Sequence, residues 1–119
     1  MIPLDEVDPS LAEMVGQKSA YLGEARRILQ GHVPPGFATT LNAYRAFMEM
    51  DGLGERVCRV MESLKFEDVA ECFQTSARVT QMIESAAIPE DLIHSIGEAV
   101  AALPGGPSLR LAVRSSALQ

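Results

Sequence analysis

The sequence predicts an α+β fold, rich in helix, with a small, incomplete sheet of short strands. Three observations predict it. About five stretches repeat apolar residues at helical spacing. Gly and Pro clusters separate those stretches and stop each one. Only three short segments, 2–6, 37–40 and 109–114, read as strands, too few for a large sheet.

The chain has 119 residues, 47% hydrophobic and 5% aromatic, with no Trp. That length suits one domain with a modest core. Leu, Ile, Val, Ala and Met must fill most of it.

The elements follow in order. Residues 2–6 form a short strand, which Pro3 places near a sheet edge. Gly16 precedes a helix from Gln17 to about Gln30, with Tyr21, Ala25, Ile28 and Leu29 as its apolar stripe. Gly31 stops it. Val33-Pro34-Pro35-Gly36 is a rigid turn, and Phe37-Ala38-Thr39-Thr40 a second short strand. Thr39 or Thr40 caps the next helix through its hydroxyl. Leu41, Tyr44, Phe47 and Met48 share a face of that helix, which ends near Asp51-Gly52. Leu53, Val57, Val60, Met61 and Leu64 give the clearest amphipathic stripe. Asp68, with Glu71 after it, opens another helix as an Asp form of the capping box. Val69, Phe73, Ser76, Ile83 and Ala86 are its expected inner face. Pro89 starts the last helix, with Leu92, Ile96, Val100 and Leu103 inward. Pro104-Gly105-Gly106-Pro107 ends it. Finally, Leu109, Leu111 and Val113 alternate with Arg110, Ala112 and Arg114, which reads as a strand with both arginines on one side.

The net charge is -6, which argues against a general nucleic-acid binder. The charge is unevenly placed. Residues 51–100 hold four bases against ten acids, whereas residues 15–50 and 101–119 each balance at +2. Two basic segments therefore flank an acidic middle, and an anion site forms if they meet. Uneven scatter among few charges is the plainer reading. No apolar run is long enough for a membrane span, and the acidic start with Pro3 does not resemble a secretory leader. A cytoplasmic protein is expected. Cys58 and Cys72 lack CxxC or Cys/His spacing and read as free thiols. His32 and His94 have no companions at metal-ligand spacing, and no catalytic residue is assigned within the chain.

Two places suit phosphate. Gly16-Gln17-Lys18 opens a helix, where free N–H groups and the helix dipole favour an anion and Lys18 adds a charge. A surface Lys is the plainer alternative there. Arg114 ends the predicted last strand, where a guanidinium can grip phosphate oxygens at two points and Ser115 and Ser116 add donors. A salt-bridged surface Arg is its plainer alternative.

The order of three blocks gives these places weight. They are Val15-Gly16-Gln17-Lys18-Ser19-Ala20-Tyr21-Leu22-Gly23-Glu24, Val33-Pro34-Pro35-Gly36-Phe37-Ala38-Thr39-Thr40, and Leu111-Ala112-Val113-Arg114-Ser115-Ser116-Ala117. Together they resemble the N-terminal ATP-binding domain of the phosphoenolpyruvate synthase and pyruvate phosphate dikinase family, which includes the rifampin phosphotransferases. The resemblance implies the N-terminal portion of an ATP-grasp-like nucleotide-binding domain, residues 1–119 being a single partial domain. It implies that Lys18 and Arg114 contact nucleotide phosphates, with Gly16 and Ser115 beside them. It also implies ATP as ligand, with Mg²⁺ bound in a longer parent by carboxylates beyond this chain. In that parent a phosphoryl group passes from ATP to a histidine and then to pyruvate, giving phosphoenolpyruvate. Pyruvate and phosphoenolpyruvate would be reached only through further domains. Gln17 departs from the family's V-G-G-K pattern, replacing a glycine whose backbone freedom would ease the approach to phosphate. Because Gln119 follows Arg114 so closely, we expect no activity from these residues alone, weak or no ATP binding, and an exposed last strand that favours a homodimer. A non-catalytic binding or regulatory module is the alternative function, and a rifampin-type phosphotransferase fragment another.

Overall fold

A computed structural model describes residues 1–105 and 108–117. Ile2–Pro3 (β1) pairs antiparallel with Phe37–Ala38 (β2), Ile2 opposite Ala38 and Pro3 opposite Phe37. The Leu4 amide extends the pairing by donating to the Gly36 carbonyl over 2.9 Å. Past Leu4 the chain turns, with the Glu6 amide bonded back to Pro3, so the strand expected over 2–6 is only its first part. Helix α1 (Ala12–Val15) is a single turn that stops at Gly16, where φ is +80°. Helix α2 (Gln17–Ile28) starts at once on the far side. Further along lie α3 (Leu41–Glu49), α4 (Leu53–Glu62), α5 (Val69–Glu84) and α6 (Glu90–Ala101).

The chain divides into two units. The terminal unit joins Met1–Tyr44 to Glu90–Gln119, and the central unit is Arg45–Pro89. Val7, Val15 and Ala38 form the core of the terminal unit, with Ile2 and Leu11 packed on them. In the central unit α4 packs on α5, and Leu53 is the one buried residue among the described ones.

The caps follow the expected chemistry. Thr40 Oγ1 accepts from the Ala43 amide at 3.4 Å, and Asp68 Oδ1 accepts from Glu71 at 3.1 Å. These side chains satisfy amides that have no partner inside their helices. Asp51 and Gly52 adopt left-handed backbone angles between α3 and α4, the turn that the Asp-Gly pair predicts.

Several faces differ from expectation. On α2, Tyr21, Ile28 and Leu29 are exposed, whereas Ala20 and Gly23 are buried. The reason is close approach: a Cβ on Gly23 would fall 3.0 Å from the Leu4 carbonyl oxygen. The 4–7 turn therefore lies against the small residues of α2 and leaves no room for large ones. On α5, Val69 and Phe73 are exposed. The half-buried stripe is Cys72, Thr75, Val79, Met82 and Ala86, rotated from the predicted one. Tyr44 is also exposed, while Leu41, Phe47 and Met48 are half-buried. The α6 stripe of Leu92, Ile96, Val100 and Leu103 is half-buried as expected.

The predicted strand over 109–114 is not formed. A ladder needs a partner to take its N–H and C=O groups, and β1 and β2 pair with each other. Val113 is 93% exposed and Leu111 51%, so of the three alternating apolar residues only Leu109 is even half-buried. Of the predicted helix stop, Gly106 and Pro107 lie outside the described residues, as do Leu118 and Gln119.

Candidate phosphate site

The predicted site residues come from the two ends of the terminal unit. Gly16 caps α2 with no side chain of its own, so the helix lacks a local acceptor for its first amides. Ser116 supplies one from the other end of the chain. Its Oγ accepts from the Ser19 amide at 3.1 Å, across 97 positions. A Cβ on Gly16 would sit 2.5 Å from the Ser116 carbonyl oxygen and 2.8 Å from its carbonyl carbon. Glycine is thus needed at residue 16 twice over, for φ of +80° and for space.

The docking of Ser116 brings the Arg114-Ser115-Ser116 segment against the opening of α2. Gly16 is buried and Ser116 half-buried, while Lys18, Arg114 and Ser115 are exposed. Among the described residues, the Gln17 and Lys18 amides donate to no protein acceptor, and neither Lys18 nor Arg114 makes an ion pair. Two N–H groups are therefore available at a positive helix end, with Lys18 in its first turn and Arg114 two residues before the docked Ser116. Gln17 takes the first helical position of α2, and among the described non-glycine residues only Asp51 has positive φ. The backbone at residue 17 therefore asks nothing of glycine, and the departure at Gln17 carries no conformational cost.

Arg26 plays a different part from the one its charge suggested. Its Nε and Nη2 donate to the two carboxylate oxygens of Asp5, and its Nη1 donates to the Val33 carbonyl. Its side chain is 20% exposed. Arg26 thus ties the N-terminal turn and the Pro-Pro-Gly segment to α2, and its charge is neutralised in place. His32 Nδ1 lies 2.9 Å from the Leu29 carbonyl oxygen, and His94 pairs with Glu98 one helical turn on. Neither joins Gly16 or Ser116.

Ser116 was the member that sequence reasoning placed behind Ser115. Alternation along an extended chain puts Arg114 and Ser116 on one side and Ser115 on the other. That pattern was the available signal for pairing Ser116, not Ser115, with the helix end.

Known proteins match both segments of the chain that meet here. Residues 12–119 match the model of the pyruvate phosphate dikinase AMP/ATP-binding domain. The chain is 40% identical to phosphoenolpyruvate synthase of Pseudomonas aeruginosa, over 98% of this chain and 15% of the relative. It is 41% identical to phosphoenolpyruvate synthase of Neisseria meningitidis, over 88% of this chain and 14% of the relative. It is 36% identical to rifampicin phosphotransferase of Streptomyces sviceus, over 98% of this chain and 13% of the relative. The chain thus spans only 13–15% of the length of these curated relatives. The Gly16 and Ser116 blocks both fall within the matched span, and the chain belongs to the pyruvate phosphate dikinase AMP/ATP-binding domain family.

Proposed function

We propose that this chain supplies part of the nucleotide site of an ATP-dependent phosphotransferase of the phosphoenolpyruvate synthase type. The docking of Ser116 on the start of α2 carries the reading, because it brings the segment that holds Arg114 to the helix start that holds Lys18. The Gln17 and Lys18 amides would donate to phosphate oxygens. The Lys18 ammonium and the Arg114 guanidinium would stabilise the charge spread over the phosphates.

In the longer protein, the phosphoryl group would pass from ATP through a histidine to pyruvate. Two relatives that bear the name phosphoenolpyruvate synthase support this acceptor. The rifampicin phosphotransferase relative supports an antibiotic acceptor as the second reading. Among the described residues, no group of His, Cys, Asp or Glu gathers into a metal site. We therefore derive no step through Mg²⁺ from these residues. Among the described residues, no helix is long and apolar enough to cross a membrane; a cytoplasmic setting is part of the proposal.

The test is calorimetry of ATP against this chain. Binding in the range of about 1 mM is expected, since half a phosphate clamp forms few contacts. Lys18→Ala and Arg114→Ala should each weaken it about fivefold, the value of one exposed charged contact. Unchanged affinity in the double variant would overturn the site. Supplying pyruvate or rifampicin to the full-length protein and following ATP consumption separates the two acceptors.

A further inference from the structure

The central unit holds a feature that nucleotide binding does not use. Arg56, Arg59 and Arg78 line one open groove, with Val60 and Met82 between them. On α4, Arg56 lies one turn before both Arg59 and the half-buried Val60. On α5, Arg78 and the half-buried Met82 are likewise one turn apart. Three of the four bases within residues 51–100 thus converge on a single groove, in a stretch that carries ten acids.

The fold does not account for this convergence. All three arginines are exposed. Among the described residues, Arg56 and Arg78 make no ion pair, and Arg59 reaches Glu55 only at 3.8 Å with both side chains in solvent. Such an exposed pair is worth little. Gathering like charges opposes folding weakly, so the arrangement is better explained by something that binds it.

We infer that this groove is a docking surface for an acidic protein segment in which carboxylates alternate with apolar side chains. The guanidinium forks match carboxylate geometry. The Val60 and Met82 floor accepts an apolar side chain, and the thioether adapts to its shape. An inorganic anion would use the arginines and leave that floor uncovered. The open shape also favours an extended segment over a small enclosed ligand. This surface lies wholly in the central unit and does not depend on the phosphate site.

The test uses the whole 119-residue chain and a short fluorescein-labelled peptide of repeating Glu-Glu-Leu, read by fluorescence anisotropy. Binding is expected at low salt, weakening as salt rises. Arg56→Gln, Arg59→Gln and Arg78→Gln should each weaken it about threefold, and the triple variant about thirtyfold, as three exposed pairs predict. Lys65→Gln, outside the groove, should leave it unchanged, and circular dichroism should show each variant folded. The inference is overturned if the triple variant binds as well as the parent, or if a peptide with Gln in place of Glu binds equally. It is also overturned if tripolyphosphate binds the arginines while the peptide does not, which would make the groove a simple anion site.

Discussion

The terminal and central units are held together in different ways. The terminal unit is joined by bonds between distant residues: β1 with β2, Arg26 with Asp5, and Ser116 with Ser19. The central unit is held by two neighbouring helices, α4 on α5, and Leu53 is its one buried residue. It leaves Phe66, Val69 and Phe73 largely in solvent. The proposed phosphate site falls where distant pieces meet. The arginine groove falls where neighbouring helices meet. Long-range assembly can place groups from opposite ends of a chain beside one another, whereas local packing reuses residues a few turns apart.

Substitutions can break this contrast, and the largest effect is expected at Leu53. Replacing it with Ala should cost the central unit about 3 kcal/mol through the lost burial and the cavity left behind. Hydrogen exchange should show α4 and α5 losing protection while α2 keeps it. Equal loss in both regions would show that the two units unfold as one. Next comes Gly16→Ala, which should cost about 2 kcal/mol from strained backbone and the overlap with Ser116. Urea unfolding measures it, and exchange at the Ser19 amide should rise. Arg26→Met should cost about 1.5 kcal/mol, since it removes a partly exposed ion pair and a hydrogen bond to Val33. Ser116→Ala should cost about 1 kcal/mol, the value of one lost helix cap. It should also weaken ATP binding without altering α4 or α5.

The smallest effect concerns acid. Asp8 accepts bonds from the Ser10 hydroxyl and amide, which lower its pKa below the ordinary 3.8, with Arg27 adding to the same direction. A folded-state pKa below the unfolded one gives stability that is present above the unfolded value. That stability is lost as pH falls through the folded value. Asp8→Asn should therefore lower stability slightly at neutral pH, where the ionised carboxylate contributes, and flatten the profile in the region below about pH 4, where parent and variant converge. Carbon NMR of the Asp8 carboxyl reads the direction directly.

Element types were legible in the sequence because punctuation and caps are local. Gly16, Gly31, Thr40, Asp51-Gly52 and Asp68 each act within a few residues. Faces were less legible where a partner decides them. The stripe of Tyr21, Ile28 and Leu29 has the right period, but the chain at Leu4 and Val7 approaches the opposite side, where only Ala20 and Gly23 leave room. The 109–114 segment alternates like a strand, yet strand formation is a property of a pair. For the site, Gly16, Lys18 and Arg114 were readable as chemistry, and the structure joins their two segments. Choosing Ser116 over Ser115 required knowing which side of the chain meets α2. The arginine groove was hidden because Arg56 and Arg78 are far apart in sequence and the acids around them dominate the local charge.

The Ser116 cap has a consequence for assembly in time. A bond across 97 positions closes a long loop, and closing it must overcome more chain entropy than any helix or turn along the way. Contacts of such separation form late. The opening of α2 is therefore completed only after the elements between its two halves are in place. This helix end, where the phosphate site is proposed, is then the last part to close on folding and the first to open under stress. A ligand bridging Lys18 and Arg114 would act as a latch on that closure, raising the stability of the terminal unit by mass action.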